Sequence, residues 1–447
     1  MNLRSHPYES YRASNGEWVD QTPSEWEEKR VKDLFRLVTD KAADDNDHEL
    51  LSLYASIGVR PRKDLEARGN KASSTDGYWL VKKGDIVVNK LLAWMGSVGL
   101  SEYDGVTSPA YDVVRKTSKL VDVRYFSYLF RTEIAKQIFK RNSRGIMDMR
   151  LRLYFDKLGA ITVPVPPFST QQAIANYIDT KTAQIDRQMD LLGQKATQCG
   201  KLKKSLIDET VVSGLDKSVP MKESHVEWFR AVPKHWELKR LKELVSIQNS
   251  NVDKKSHDEE TAVRLCNYVD VYKNEFITGQ LSQDFMWATA DESEIKKFGI
   301  RKNDLLITKD SETADDIAIP ALATETLDGV LCGYHLAQIR TNPKYLLGAY
   351  LLRLFQAKSY GHRFAIAAKG ITRVGLGQAA IADALTPVPP LLEQQAIADY
   401  LEKKTAQLDR IIDTINSQIE KLKDLRKALI NDVVTGKIKV VSEGQAV

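Results

Sequence analysis

Cysteine is the scarcest chemistry in this chain. Only Cys199, Cys266 and Cys332 occur in 447 residues, far apart and with no CxxC or Cys–His spacing. That argues against a disulfide framework or a zinc site and suits a reducing cytoplasm. Long apolar runs are missing too: none approaches the roughly 20 residues needed to cross a bilayer. The opening MNLRSHPYESYR has no apolar core and does not read as a signal peptide. Neither sign of charge dominates, since the formal net charge is only +5. Any basic surface must therefore be local. With 43% hydrophobic residues the length suffices for two or three domains with cores of their own. Chemistry-bearing motifs are absent as well. There is no GxxxxGK[ST] phosphate loop, no HExxH and no GxSxG, and Gly375-Leu-Gly377 lacks the third glycine of a dinucleotide fingerprint. The seven histidines are scattered, with His335 isolated and His225 and His235 in a linker-like stretch. No catalytic, cofactor-binding or metal-ligating set is left, and the chain reads as a non-enzyme.

What the chain has instead is a repeat. Residues 164–187, PVPPFSTQQAIANYIDTKTAQIDR, return at 387–410 as PVPPLLEQQAIADYLEKKTAQLDR, with sixteen of twenty-four positions identical at an offset of 223. A match of this length marks a duplicated element. Pro164, Pro166 and Pro167 cannot continue a ladder or sit inside a helix, so they close what precedes them. A helix is expected next: Ser169 and Gln172 have the capping-box spacing, and in the second copy Glu393 suits the helix dipole. Apolar residues then recur mostly at steps of four and three. They are Ile174, Ile178, Ile185, Met189, Leu192, Ala196, Cys199, Leu202 and Leu206 in one copy. In the other they are Ile397, Leu401, Leu408, Ile412, Ile415, Ile419, Leu422, Leu425 and Leu429. The pattern predicts a coiled-coil-like seam of about five heptads, and residues 171–207 would span roughly 55 Å. The two helices most simply pack on each other; otherwise each lies on its own globular domain.

The duplication extends beyond the helices. Trp18, Pro23, Trp26, Glu27, Lys29, Arg30, Lys32 and Leu34 reappear as Trp228, Pro233, Trp236, Glu237, Lys239, Arg240, Lys242 and Leu244. KKGDIVVNK at 82–90 is echoed by RKNDLLITK at 301–309, each a charged turn before a short buried strand. Between these fixed parts lie two dissimilar bodies, roughly 35–163 and 245–386. They mix strand-like runs (Asp85–Val88, Ala110–Val114, Leu305–Thr308) with helical ones (Val123–Lys140, Tyr345–Tyr360), so the fold class is α/β (α+β). Matching frames with different contents suggest related work on two different targets. From Gly329 to Ala382 there is no Asp or Glu but seven basic residues; residues 139–152, FKRNSRGIMDMRLR, carry five against Asp148 alone. Both stretches precede a PVPP boundary and contain a basic–Gly–Ile element, Arg144-Gly145-Ile146 and Lys369-Gly370-Ile371. Clusters of this kind, equivalently placed, point to nucleic acid, because polyanion binding needs clustered Lys and Arg.

Pro166-Pro167 to Gln171, Pro389-Pro390 to Gln394, the Ala-Ile-Ala and Lys-Thr-Ala-Gln segments and the repeated tryptophans together resemble the specificity subunits of type I restriction–modification systems. Glu393-Gln394 fits the family's Glu-Gln after the prolines, whereas Thr170-Gln171 departs from it. The resemblance implies two target-recognition domains, 1–163 and 215–386, each reading half of a bipartite site in double-stranded DNA. It implies spacer helices at 164–214 and at 387–447 with the C-terminal tail, packed as an antiparallel coiled coil with pseudo-two-fold symmetry. It further implies two modification subunits, with S-adenosylmethionine and ATP on partner subunits, and motor–nuclease restriction subunits for cleavage. The candidate DNA-binding residues are Lys90, Arg141, Arg144, Arg150, Lys309, Arg363, Lys369 and Arg373. The competing reading is a coiled-coil scaffold with two protein-binding domains.

Overall fold

The computed structural model describes residues 7–54, 58–64, 75–146, 150–226 and 228–440. The first six residues, Asp148 of the first basic stretch and the tail 441–447 lie outside these. By packing, the chain divides into two compact units, Met1–Leu192 with Ser417–Val447, and Gly193–Asn416. Within each unit a body packs with the helix halves that lie on it, and apolar residues of each half are buried in that body's core.

The first unit is built on a four-stranded antiparallel sheet in the order Phe35–Val38, Tyr111–Lys116, Ile86–Asn89, Val98–Leu100. The second has a five-stranded sheet in the order Val245–Asn249, Leu336–Thr341, Asp304–Thr308, Pro320–Ala323, Phe276–Ile277, with only the last pair parallel. A three-stranded sheet of Met286–Ala290, Thr261–Cys266 and Val330–Cys332 lies in the same unit. The first three strands of the two main sheets correspond. Their third strands, Ile86–Asn89 and Asp304–Thr308, are the echoed apolar runs, and every residue in them is buried.

Each helical stretch read as one helix is in fact two. Val123–Leu129 is followed by Glu133–Asn142, because Thr132 takes an extended conformation and its hydroxyl accepts from Ala135 N at 3.1 Å. That is an N-cap which apolar periodicity does not register. Gly348–Gln356 and Lys358–Ala367 are likewise divided at an extended Ala357.

The repeated tryptophan segments and the PVPP segments are one structure in each unit. Glu27–Arg30 pairs antiparallel with Thr162–Val165, and Glu237–Arg240 with Leu385–Val388, in the same register. Pro164 and Pro387 thus sit within a ladder, not beyond its end. A two-stranded sheet leaves one side of each strand unpaired, which a residue without an N–H tolerates. Pro166-Pro167 and Pro389-Pro390 do end the strands.

The first long helix is Phe168–Ser213 and the second Leu391–Val434. The first starts directly after Pro167, so Ser169 lies inside its first turn and not at a cap. In the first unit Ile174 and Ile178 share a core with Leu429, Val433 and Val434, and Arg426 pairs with Asp186 at 3.2 Å. In the second unit Ile207 and Val211 share a core with Ile397 and Leu401, and Lys203 pairs with Asp409 at 2.7 Å. In both units the start of one helix meets the end of the other, so they pack antiparallel. The seam is narrower than predicted, since Leu202 and Leu425 are 56% and 40% exposed. A straight helix drifts about 20° per heptad against a seven-residue repeat, which carries such positions off the interface.

Candidate nucleic-acid interface

The basic–Gly–Ile elements form short hairpins hung from the same point of the sheet. At the end of the central strand of the first unit, Lys90 O accepts from Leu153 N at 2.9 Å; in the second, Lys309 O accepts from Leu376 N at 2.7 Å. Just before each of these, Arg144 and Arg152 exchange backbone hydrogen bonds of 2.9 and 2.8 Å, as Lys369 and Gly375 do at 3.0 and 2.8 Å. Gly145 and Gly370 have φ of +148° and +142°. A Cβ on Gly145 would lie 2.5 Å from Arg150 O, and on Gly370 1.9 Å from Arg373 O. The tripeptide therefore needs its glycine, both for the dihedral and for the close approach of the opposite arm.

The candidate cations divide into two groups. Lys90 and Lys309 face inward: Lys90 Nζ donates to Pro109 O at 2.7 Å and lies 3.3 Å from Asp112, and Lys309 pairs with Asp310 at 2.8 Å. They pin the hairpins through their main chain and present little charge. Arg363 is half-buried, its guanidinium over the rings of Tyr360 and Phe364, and burial lowers its pKa. Arg141, Arg144 and Arg150 are exposed on the first hairpin and the helix leading into it. Arg141 lies 3.4 Å from Glu17 and Arg144 2.9 Å from Asp156. Lys369 and Arg373 are exposed on the second hairpin, with no ion-pair partner among the described residues. Two further cations of the acid-free stretch are turned inward. Arg340 makes a two-pronged contact with buried Asp304 at 2.8 and 2.7 Å, and buried Arg353 pairs with Glu275 at 2.6 Å. Asp85 and Arg115 repeat the Asp304–Arg340 pairing in the first unit at 2.7 Å.

Several residues that hold the site were given no structural role from sequence. His335 is not isolated: its Nδ1 lies 2.9 Å from Asp310 Oδ2, the oxygen that also accepts from Lys309. Burial alone would raise the Asp310 carboxyl, but hydrogen bonds from Lys309 and His335 outweigh it and hold the group below its ordinary value. Asp310-Ser311 pair with Val374-Gly375, bracing the second hairpin. Tyr125 and Tyr350 are fully buried, and each hydroxyl reaches two carbonyls, Pro164 O (3.3 Å) and Val434 O (2.9 Å), or Pro387 O and Val211 O (both 3.1 Å). Gln171 and Gln394 join helix start to body in the same way in both units. Gln171 Oε1 accepts from Asp122 N at 2.9 Å, and its Nε2 donates to Leu120 O and Pro166 O at 3.3 and 2.9 Å. Gln394 repeats this with Leu347 N, Tyr345 O and Pro389 O at 2.9, 2.9 and 2.8 Å. Identity in both repeats was the available signal for the glutamines. The tyrosines lie within the dissimilar bodies and gave none. Among the described residues no group of three or more His, Cys, Asp or Glu is arranged to hold a metal ion. No described helix is long and apolar enough to cross a membrane.

Two basic hairpins thus hang at equivalent points of duplicated frames. The model of the type I restriction modification DNA specificity domain matches residues 23–192 and again 233–421, and the chain belongs to that family. It is a specificity subunit of a type I restriction–modification system, with two target-recognition domains, and serves DNA recognition and not catalysis. The MjaVIII specificity subunit of Methanocaldococcus jannaschii is 21% identical over 94% of both chains. The EcoBI specificity subunit of Escherichia coli is 20% identical over 62% of this chain and 58% of its own. Among solved structures, the HsdS subunit from Thermoanaerobacter tengcongensis shares the fold with a TM-score of 0.51 at 15% identity, covering 93% of this chain and 98% of that one. A chain from a study of type I R-M complex assembly and conformational transition reaches 0.64 at 15% identity, covering 93% and 99%.

Proposed function

We propose that each unit reads one half of a bipartite site in duplex DNA and that the long helices set the length of the unread spacer. Two modification subunits dock on the helical parts, bringing S-adenosylmethionine and the methyl-transfer site. Restriction subunits, driven by ATP, join for cleavage, all in the cytoplasm. The observation that carries this reading is the pair of basic hairpins closed by Arg144–Arg152 and Lys369–Gly375, each hung from the residue that directly follows the same sheet strand. Exposed Lys and Arg displace counterions and fix the protein on phosphates, leaving neighbouring side chains to read base edges. The spacer role is supported by helix length: 46 and 44 residues, about 69 and 66 Å at 1.5 Å per residue. The test is to insert a second copy of Lys181-Thr182-Ala183-Gln184 in frame and map methylated sites genome-wide. Four residues add about 6 Å against about 3.4 Å per base pair, so the spacer lengthens by roughly one or two base pairs while both half-sites keep their bases. An unchanged spacer, or an altered half-site, sinks the proposal.

A further inference from the structure

Two apolar side chains stand where a soluble surface has least reason to put them. Ile371 is 104% and Ile146 99% exposed, the most exposed large hydrophobic residues among those described. One exposed apolar residue on a surface needs no explanation. Here the same event occurs twice, at the same place in two bodies that otherwise differ. Each isoleucine directly follows the glycine at positive φ, and each glycine follows a cation, Arg144 or Lys369. Each is held out by a hairpin closed by two backbone hydrogen bonds and tied to the sheet by a third. A protein partner covering such a residue would be met by an apolar patch around it. Along the chain Ile371 is flanked by exposed Lys369, Thr372 and Arg373, with no acidic residue from Gly329 to Ala382; exposed Ile366 precedes the hairpin, and Asp310, which lies beside Gly375, is already paired with Lys309 and His335. Exposed cations flanking a projecting apolar tip fit a ligand with anions outside and apolar surface within. Duplex DNA is such a ligand: phosphates line the grooves, while thymine methyls and base faces lie inside them.

We infer that Ile371 and Ile146 are inserted into a groove of the duplex, each as the apolar contact that sets one position of its own half-site, against a thymine methyl or between two base steps. This rests on the DNA-reading role proposed above. A fully exposed side chain contributes almost nothing to folding, so Ile371→Ala and Ile146→Ala leave thermal stability as in the parent, and a melt checks this.

Genome-wide methylation mapping then compares the parent with both variants. Ile371→Ala relaxes one position of one half-site, with about a 5- to 100-fold loss of discrimination there, and leaves the other half-site intact; Ile146→Ala does the reverse. A parent without any bipartite motif refutes the underlying DNA reading. A parent motif that both variants reproduce unchanged overturns the isoleucine assignment alone. Binding of the assembled complex to a duplex carrying the parent's mapped site separates the two modes. Replacing thymine by deoxyuridine at the relaxed position weakens the parent but not the variant if a methyl is touched. A 2-aminopurine at that step brightens on binding the parent but not the variant if bases are prised apart. Neither response also overturns the assignment.

Discussion

Replacing Gln394 by Ala tests how firmly the second long helix is fixed to the body it serves. The Gln394 side chain is fully buried and makes three hydrogen bonds of 2.8–2.9 Å. Truncation leaves Leu347 N, Tyr345 O and Pro389 O without their partner and a side-chain-sized void. An orphaned buried polar group costs about 1–3 kcal/mol. Water can recover part of that at Leu347 and Tyr345, which are only partly covered. We therefore expect a loss of about 3 kcal/mol, counting one full orphan, two partial ones and the cavity. For a unit of this size that lowers its midpoint by roughly 6–12 °C. Calorimetry measures the midpoint, and hydrogen exchange at the Leu347 amide reports whether the loss arises where the bond was cut. Gln171→Ala should cost the first unit a similar amount, with exchange appearing at Asp122. The neighbouring Gln395 is exposed, and among the described residues its side chain bonds Asp399 alone, so Gln395→Ala should stay within about 0.5 kcal/mol. If Gln394→Ala and Gln395→Ala prove equally mild, the helix is held by its apolar face alone and the bridging role assigned to the glutamines is wrong.

Two further outcomes follow from differences between the units and within them. In the second unit Glu393 Oε2 accepts from Trp236 Nε1 at 3.0 Å and lies 2.8 Å from His235 Nε2. The first unit has Thr170 at that position, and buried Trp26 Nε1 makes no hydrogen bond of good geometry, although the Tyr8 hydroxyl lies close by. Thr170→Glu should then stabilise the first unit by about 1 kcal/mol, read as a raised midpoint; a lowered one means the pocket cannot admit the carboxylate. Cys266 and Cys332 are buried neighbours on parallel strands, with both thiol pKa values pushed up by burial, whereas Cys199 is half-exposed. A thiol reagent should label Cys199 in the native protein and the other two only after denaturation. Native labelling of all three would show that the second unit opens far more readily than its core implies.

The long helices were legible because a 3.6-residue pattern persists over many turns and occurs twice. The residues that missed the seam, Leu202 and Leu425, did so through helical drift that a heptad template ignores. The hairpins were legible as a repeated tripeptide, since only glycine meets the backbone demand at Gly145 and Gly370. The free cations were not legible. Arg340 and Arg353 look like any surface arginine in sequence, and only the fold supplies Asp304 and Glu275 to draw them inward. Lys90 and Lys309 were singled out as contacts, yet their side chains spend their charge on Asp112 and Asp310. The breaks at Thr132 and Ala357 escaped because the apolar pattern continues through both. The Cys266–Cys332 juxtaposition escaped because strand pairing between distant segments leaves no local trace.

The ladder joining Glu27–Arg30 to Thr162–Val165, and its twin joining Glu237–Arg240 to Leu385–Val388, has a consequence for descent. Chain enters and leaves each body through two hydrogen-bonded strands lying side by side, so whatever lies between them begins and ends at one spot. A genetic crossover within the coding stretches for those strands exchanges the whole intervening block as a cassette. The helices and the glutamine side chains that reach from them pass to the recombinant unaltered, and the incoming block has only to offer the backbone groups they bind. If each unit reads one half-site as proposed, inheriting one such contiguous segment changes half of the recognised sequence at a time.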